Sequence, residues 1–336
     1  MGYKLNLENM NLLLEKLSKD YEIYAPMVFE GEGTFSDTDR VRYGKINKIE
    51  DVEFEKKSDF SYKEVLLPIT QTLFFFTEDE IKEASVEEKS MLIFLRSCDL
   101  HALKRLDDIY LKNRFADPYY QKVREKAKFV LMGCEKSFEN CFCVNMGTNK
   151  TDEYDFYVKV DGNDVFVDAK DESLIEVLSE IEKSDVEVKA DFVTENEVKV
   201  NIPDNLDNSV IDSEIWEEYS QRCIACGRCN FVCPTCTCYT MQDIVYRDNK
   251  NAGERRRIWA SCQVDGFTDM AGGHSFRKPH GERMRYKVMH KVHDYKKKFG
   301  YHMCVGCGRC DDICPEYISF SNCINKLGKA MDEVNK

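Results

Sequence analysis

The sequence predicts an α/β domain with a mixed sheet over residues 1–205, followed by a mostly helical domain over residues 206–336. Apolar runs of strand type alternate with helix-like segments through the first 200 residues or so. A polar stretch that contains Pro203 spans residues 201–208 and predicts the boundary. Beyond it the strand patterns fade, and two identical runs of cysteines indicate a different architecture.

Two strands of the first domain are each expected to end close to a cysteine. The apolar runs at 91–95 (MLIFL) and 127–132 (AKFVLM) predict buried strands, and a helix-like stretch lies between them. Cys98 follows the first run and Cys134 follows the second. Because ligands of open α/β sheets bind at the carboxyl ends of the strands, we expect a ligand crevice there.

The second domain contains two cysteine runs with the spacing CxxCxxCxxxCP. The first run is Cys223, Cys226, Cys229 and Cys233, and the second run is Cys304, Cys307, Cys310 and Cys314. This spacing is typical of bacterial ferredoxins with two [4Fe–4S] clusters, in which the fourth cysteine of each run binds the other cluster. A dicluster ferredoxin-like domain is therefore predicted. The predicted ligands are Cys223, Cys226, Cys229 and Cys314 for cluster 1, and Cys304, Cys307, Cys310 and Cys233 for cluster 2. Zinc is disfavoured, since its sites use two separated CxxC pairs.

The cysteines before the boundary form a less familiar set of four. Cys98, Cys134, Cys141 and Cys143 match the number of ligands that a third [4Fe–4S] cluster requires. Zinc remains an alternative, and so does a packing role, because free cysteine is among the most buried residue types. The remaining cysteines are expected to pack beside a cluster or to serve as extra ligands; they are Cys236, Cys238, Cys262 and Cys323.

Charge is distributed unevenly along the chain. The formal net charge is −13, which disfavours nucleic acids and anionic membranes as partners. A basic helical insert, at about 240–300, separates the two runs and carries a net charge of +7 between Gly253 and Gly300. Within it Met284, Val288, Val292, Tyr295 and Phe299 predict one apolar helix face that ends at Gly300. The insert is interpreted as a solvated helix face, as a docking surface for an acidic partner, or as charge compensation for the clusters.

The motifs that are missing also restrict the function. No apolar stretch is long enough to span a bilayer, and the start of the chain lacks a secretory pattern, so a cytoplasmic protein is expected. The sequence has neither GxGxxG after a strand nor GxxxxGK[ST], and no catalytic set is evident. Flavin and nicotinamide are therefore expected in other subunits.

Several segments between Arg96 and Phe320 resemble the iron–sulfur electron-transfer subunit of the anaerobic sulfite reductases. They include RSCDLHALKRLD, CFCVNMGT, CPTCTC, WASCQVDGF and GGHSFR. The same framework is similar to the beta subunits of cytoplasmic sulfhydrogenases. The resemblance implies a chain that transfers electrons from a flavin subunit, which oxidises NAD(P)H, to a sirohaem subunit, which reduces sulfite to sulfide. It also favours the third cluster.

Two kinds of function are compatible with this pattern. The first is a relay subunit without an active site of its own, in a sulfite reductase complex or, as the alternative, in a hydrogenase complex. The second is a self-contained reductase that binds a substrate or flavin near Cys98 and Cys134. A relay is expected to contain iron and sulfide but no flavin.

Overall fold

The computed structural model of the chain describes residues 2–35, 37–85 and 89–334. Contacts between residues divide the chain into two compact units. The first unit consists of Met1–Leu67, Val86–Phe138 and Gly147–Asn196. The second unit consists of Pro68–Ser85, Glu139–Met146 and Glu197–Lys336, so the boundary expected near residue 205 falls inside its last segment.

Strands predominate in the first half of the chain, and short helices become more frequent in the second. The strands are β1 (Gly2–Asn6), β2 (Tyr21–Phe29), β3 (Arg40–Lys45), β4 (Thr70–Phe76), β5 (Ile81–Glu83), β6 (Ser90–Arg96), β7 (Ala127–Met132), β8 (Phe156–Asp161), β9 (Asp164–Ala169), β10 (Ser184–Asp185), β11 (Tyr239–Val245) and β12 (Gly253–Trp259). The α-helices are α1 (Leu7–Leu17), α2 (Lys63–Leu66), α3 (Ser97–Tyr110), α4 (Pro118–Arg124), α5 (Glu172–Ser179), α6 (Glu217–Arg222), α7 (Arg228–Phe231), α8 (His280–Met289), α9 (Tyr295–Phe299), α10 (Arg309–Asp312) and α11 (Phe320–Val334). Short 3₁₀ helices span Ile49–Asp51, Asn208–Asp212 and Glu214–Trp216, and a π-helical turn, His290–Asp294, joins α8 to α9.

The first unit is built on a mixed sheet, as predicted. Its strand order is β10-β1-β9-β8-β7-β6-β2-β3. The neighbours β2, β6, β7 and β8 run parallel, and the other pairs are antiparallel. The apolar side chains of Phe94 on β6 and Val130 on β7 pack in one core with Leu13 of α1. Burial on the sheet explains why these strands are continuous apolar runs.

The parallel pair β6 and β7 brings two cysteine-bearing segments to one edge of the sheet. Arg96 pairs with Met132 at the carboxyl ends of the two strands. Helix α3 begins at Ser97, so Cys98 lies in its first turn rather than in a loop. Cys134 follows β7 after Gly133.

The second unit combines helices with a sheet, so the expectation of a mostly helical domain describes only part of it. Its antiparallel sheet has the order β11-β12-β4-β5, in which β11 and β12 come from the basic insert. Strand β11 is exposed along nearly its whole length, and its sequence therefore lacks the alternation of apolar residues that marks a half-buried strand. The arginines 255–257 lie on β12, not on a helix, and Arg255 pairs with Asp243 across the hairpin at 2.6 Å.

The apolar stripe predicted on the insert helix is confirmed. Met284, Val288 and Val292 are buried along α8 and the π-helical turn, Tyr295 is buried on α9, and Phe299 is half-buried. Helix α9 then ends at Gly300, whose φ of 87° gives the left-handed cap that glycine adopts readily. None of the helices in residues 2–35, 37–85 and 89–334 is long and apolar enough to cross a membrane.

Candidate metal centres

One cavity of the second unit is lined by five thiols. They come from Cys223, Cys226, Cys229, Cys310 and Cys314. Four of them are the ligands predicted for cluster 1, and Cys310 is predicted for cluster 2. All sixteen cysteines of the chain are free thiols. In the described part of the chain, no three His, Cys, Asp or Glu side chains form a site for a single metal ion.

The two runs share an unusual backbone conformation. Ala225 and Gly227 in the first run have φ of 55° and 74°, and Gly306 and Gly308 in the second run have φ of 65° and 72°. These pairs occupy matching positions, and in each run a short helix, α7 or α10, follows the second residue of the pair. Left-handed residues bend the chain tightly, and in the first run the three successive thiols Cys223, Cys226 and Cys229 line one cavity.

The thiol of Cys223 has electrostatic neighbours from both cysteine runs. Burial raises the pKa of Cys223, and the charges of Cys229, Cys226 and Cys314 raise it further. All three belong to the set predicted for cluster 1. The fourth cysteine of the second run therefore lies among the first three cysteines of the first run.

The thiols predicted for cluster 2 likewise have an electrostatic neighbour from the other run. Burial raises the pKa of Cys304 to about 12, and the charges of Cys233 and Cys307 contribute in the same direction. Cys233 and Cys307 also act on Cys310. Cys233 thus lies among the thiols of the second run, although Cys310 also reaches the wall of the thiol-lined cavity.

Two buried lysines stand between these thiols. Lys287 on α8 is 3% exposed, and Lys291 on the π-helical turn is 2% exposed. Lys291 Nζ donates a hydrogen bond of 2.7 Å to Thr235 Oγ1 and one of 3.3 Å to Cys233 Sγ. Burial opposes the charged form of Lys287, but the thiols of Cys229 and Cys310 raise its pKa well above the usual value.

The lysines indicate what kind of group the thiols hold. In the described residues, neither lysine has a carboxylate partner among the ion pairs. A buried ammonium group is costly unless a negative charge compensates it. Thiolates and the cluster that they ligate supply such charge, so the donor set fits an anionic iron–sulfur cluster.

The cysteines predicted for a third cluster are divided between the units. Cys98 and Cys134 belong to the first unit, and Cys141 and Cys143 belong to the second. In the first unit the buried Arg96 donates to the Gly133 carbonyl at 3.1 Å and to Cys134 Sγ at 3.5 Å. The third cluster stays a prediction.

The segment that carries Cys141 and Cys143 packs against the second run. Phe142 N donates to Gly306 O at 2.8 Å, and Cys141 Sγ donates to Cys307 O at 3.4 Å. A Cβ on Gly306 would lie 2.6 Å from the Phe142 carbonyl carbon. Glycine is therefore required there both for its φ and for the close approach of this segment.

The four remaining cysteines have distinct surroundings. Cys236 lowers the pKa of the neighbouring Cys233, and Cys238 lowers the pKa of Cys262. Cys323 is fully buried on α11 next to Tyr219, and burial raises its pKa to about 12. Of the four, Cys323 agrees least with the expected packing beside a cluster, because its neighbour is the hydroxyl group of Tyr219.

Sequence reasoning named Lys287, with Arg283 and Arg285, as a candidate for docking a partner through exposed charge; the structure instead buries Arg283 and Lys287, and also Lys291. The signal was present in the spacing. Residues 284, 287, 288, 291 and 292 follow the i, i+3, i+4, i+7, i+8 pattern of a buried helix face. A lysine at such a position predicts a buried charge and hence a nearby anion.

Comparison with known proteins agrees with the site. The family described as 4Fe-4S dicluster domain matches residues 222–318, which include both cysteine runs. The chain is 30% identical over 323 residues to the sulfhydrogenase 2 subunit beta of Pyrococcus furiosus, covering 88% of this chain and 91% of that protein. No solved structure matches the chain.

The match to the sulfhydrogenase subunit extends over most of the chain, and the match to the dicluster family includes the five cysteines of the thiol-lined cavity and both buried lysines. An iron–sulfur function is thus supported by the donor set, by the dicluster family and by a relative of nearly the same extent. The chain belongs to the family of the sulfhydrogenase 2 subunit beta and is an iron–sulfur electron-transfer subunit with a 4Fe–4S dicluster domain.

Proposed function

We propose that this protein is the electron-transfer subunit of a cytoplasmic hydrogenase complex of the sulfhydrogenase type. It accepts electrons from a flavin subunit that oxidises NAD(P)H and passes them to a hydrogenase subunit, or conducts them in the opposite direction. The observation that carries the proposal is the cavity lined by thiols of both runs beside buried lysines. The extent of the match to the sulfhydrogenase subunit supports the choice of complex.

The ligands of the two clusters are proposed as the crossed sets. Cys223, Cys226, Cys229 and Cys314 hold cluster 1, because these residues line one cavity and influence one another electrostatically. Cys304, Cys307, Cys310 and Cys233 hold cluster 2, since Cys233 acts on both Cys304 and Cys310. A [4Fe–4S] cluster supplies a one-electron carrier.

The chain contributes proximity and electrostatics to the relay. Lys287 interacts with Cys229 of the first run and with Cys310 of the second, so one side chain connects both ligand sets. A positive charge between the clusters stabilises the additional electron on either of them. Neighbouring carriers with a shared counter-charge favour transfer between them over loss to solvent.

A sulfite reductase complex is the second candidate. It is favoured by the segments CPTCTC, WASCQVDGF and GGHSFR, which resemble the electron-transfer subunit of the anaerobic sulfite reductases. In that case the electrons go to a sirohaem subunit. Both candidates have the same flavin donor and differ in the acceptor. A third cluster on Cys98, Cys134, Cys141 and Cys143 is proposed for either complex.

Isolation of the native complex tests this function. The chain is tagged, purified without oxygen from its own cells, and analysed for iron, sulfide, flavin, nickel and sirohaem. We expect iron and sulfide in the chain itself, flavin in a second subunit and nickel in a third. Sirohaem in place of nickel would favour the sulfite reductase. Flavin bound to the tagged chain alone, or turnover of NADH by it, would contradict the relay.

A further inference from the structure

Two cysteines that neither predicted ligand set uses are brought together by the hairpin of the second unit. Cys238 directly precedes β11, and Cys262 follows β12. Tyr239 pairs with Trp259 at the base of the hairpin, and Ala260 N donates to Cys238 O at 2.9 Å. The two thiols lie close enough for each to shift the pKa of the other.

Cys262 lies in an environment that stabilises a thiolate. It is 6% exposed and accepts hydrogen bonds from Asn230 Nδ2 at 3.1 Å and from Gln263 Nε2 at 3.7 Å. The neighbouring thiol of Cys238 lowers the pKa of Cys262 to about 5, and the charge of Lys287 acts in the same direction. The thiolate is the nucleophilic form of cysteine.

A packing role does not account for this environment. Cys323 in the same unit is also buried, and burial raises its pKa to about 12 although Tyr219 acts in the opposite direction. A ligand role in cluster 1 does not follow either, because neither Cys238 nor Cys262 is among the residues that line the cavity. A thiolate stabilised by hydrogen-bond donors and placed beside a second thiol is the arrangement of dithiol redox centres.

We propose that Cys238 and Cys262 form a reversible dithiol–disulfide couple that exchanges electrons with the two clusters. This inference rests on the proposed function, which supplies the clusters. In the oxidising direction the Cys262 thiolate and the Cys238 thiol form one S–S bond, releasing one proton to solvent and two electrons, one to each cluster. In reverse, the S–S bond accepts one electron from each cluster and one proton from solvent.

The position of the pair suits this exchange. Asn230 donates to Cys262 and directly follows Cys229, a predicted ligand of cluster 1. Cys262 also acts electrostatically on Cys229. The two clusters together deliver two electrons, and reduction of one disulfide takes up two electrons, so the cysteine pair can store the electrons of both clusters. Such storage is useful where a flavin supplies electrons in pairs.

Thiol mapping on the intact chain tests the couple. The protein is purified with its clusters, equilibrated without oxygen in buffers of oxidised and reduced dithiothreitol, and alkylated before peptide mass spectrometry. We expect a Cys238–Cys262 disulfide at the oxidising ratios and two alkylated thiols at the reducing ratios. A reductive titration of the oxidised chain should require about two more electrons than that of Cys238→Ser. Cys323→Ser is the matched control and should titrate like the native chain.

The possible failures are separable. Absence of the disulfide at every ratio in which the clusters stay intact would overturn the couple. A loss of iron in Cys238→Ser or Cys262→Ser, with an unchanged number of electrons per remaining cluster, would also overturn it by making these residues ligands. A native chain without iron and sulfide would instead refute the proposed function, whatever the thiols do.

Discussion

The first and second cysteine runs share one spacing and one backbone conformation, but their surroundings differ. In the first run Cys226 is exposed, and Ile224, which follows Cys223, is 56% exposed. In the second run Cys307 is buried, and Val305, which matches Ile224 in position, is 2% exposed. The segment around Phe142 lies against both Gly306 and Gly308 of the second run, whereas at the first run the segment around Ser261 and Val264 lies against Gly227.

This difference separates two properties of an iron–sulfur motif. The spacing determines which thiols are available as ligands, and the tertiary cover determines solvent access and the local charge. Cluster 1 is therefore expected to exchange electrons with a partner more readily, because its loop faces solvent. Cluster 2 is expected to depend more on buried lysine for the stabilisation of its reduced state.

The largest expected effect comes from removing the one cysteine of the first run that is assigned to the second cluster. Cys233→Ser removes a thiolate from the second set although Cys233 belongs to the first run, so we expect the loss of cluster 2 and of about four iron atoms per chain. Iron analysis and electron paramagnetic resonance of the reduced protein measure this loss. Cys323→Ser is the control and should retain the iron. Loss of cluster 1 instead would show that each run holds its own cluster.

The second-largest effect is expected where the segment around Phe142 packs closely against Gly306 of the second run. In Gly306→Ala the new Cβ would lie 2.6 Å from the Phe142 backbone, and the residue would keep a φ of 65°. The backbone conformation costs about 1–2 kcal/mol, and overpacking costs about 1–3 kcal/mol. We expect a lower free energy of unfolding and a lower occupancy of cluster 2. Both are measured by denaturant titration with iron analysis.

Gly300→Ala is the matched control for Gly306→Ala. Gly300 has a φ of 87°, but nothing lies within 4 Å of the position of its Cβ. This variant therefore bears the conformational cost alone, about 1–2 kcal/mol. Equal losses in the two variants would mean that the segment around Phe142 does not press on the second run.

Sequence reasoning succeeded where the signal is local. Continuous apolar runs predicted β6 and β7, the apolar stripe predicted the buried face of the insert helix, and motif spacing predicted a dicluster domain. It failed where pairing is remote. Strand β12 pairs with β4, and the two segments are far apart in the chain. No periodicity in either segment specifies its partner.

The charge that acts on the second run gives a smaller, more specific effect. In Lys291→Met a buried ammonium group next to Cys233 is lost. Its positive charge stabilises the reduced cluster, so the midpoint potential of cluster 2 should become more negative, by on the order of 60 mV for a tenfold change in the one-electron equilibrium. A redox titration followed by electron paramagnetic resonance measures it.

Two further variants show whether the effect is specific to that cluster. Lys287→Met should shift the potentials of both clusters, since Lys287 interacts with thiols of both sets. Lys297→Met removes an exposed lysine from α9 and should shift neither. An equal shift of cluster 1 in Lys291→Met would refute the assignment of Lys291 to the second run.

The smallest expected effect concerns the residue of the first run that matches Gly306. Ala225 adopts a φ of 55°, which costs a non-glycine residue about 1–2 kcal/mol. Ala225→Gly relieves this strain but makes the unfolded chain more flexible, at a cost of about 0.4–1 kcal/mol. We therefore expect a net stabilisation of up to about 1.6 kcal/mol, with unchanged iron. Ala116→Gly is the control, because Ala116 is an exposed loop residue without a positive φ. There only the greater flexibility of the unfolded chain applies, so stability should fall. If both variants lose stability equally, Ala225 is not strained, and the backbones of the two runs differ more than their φ values indicate.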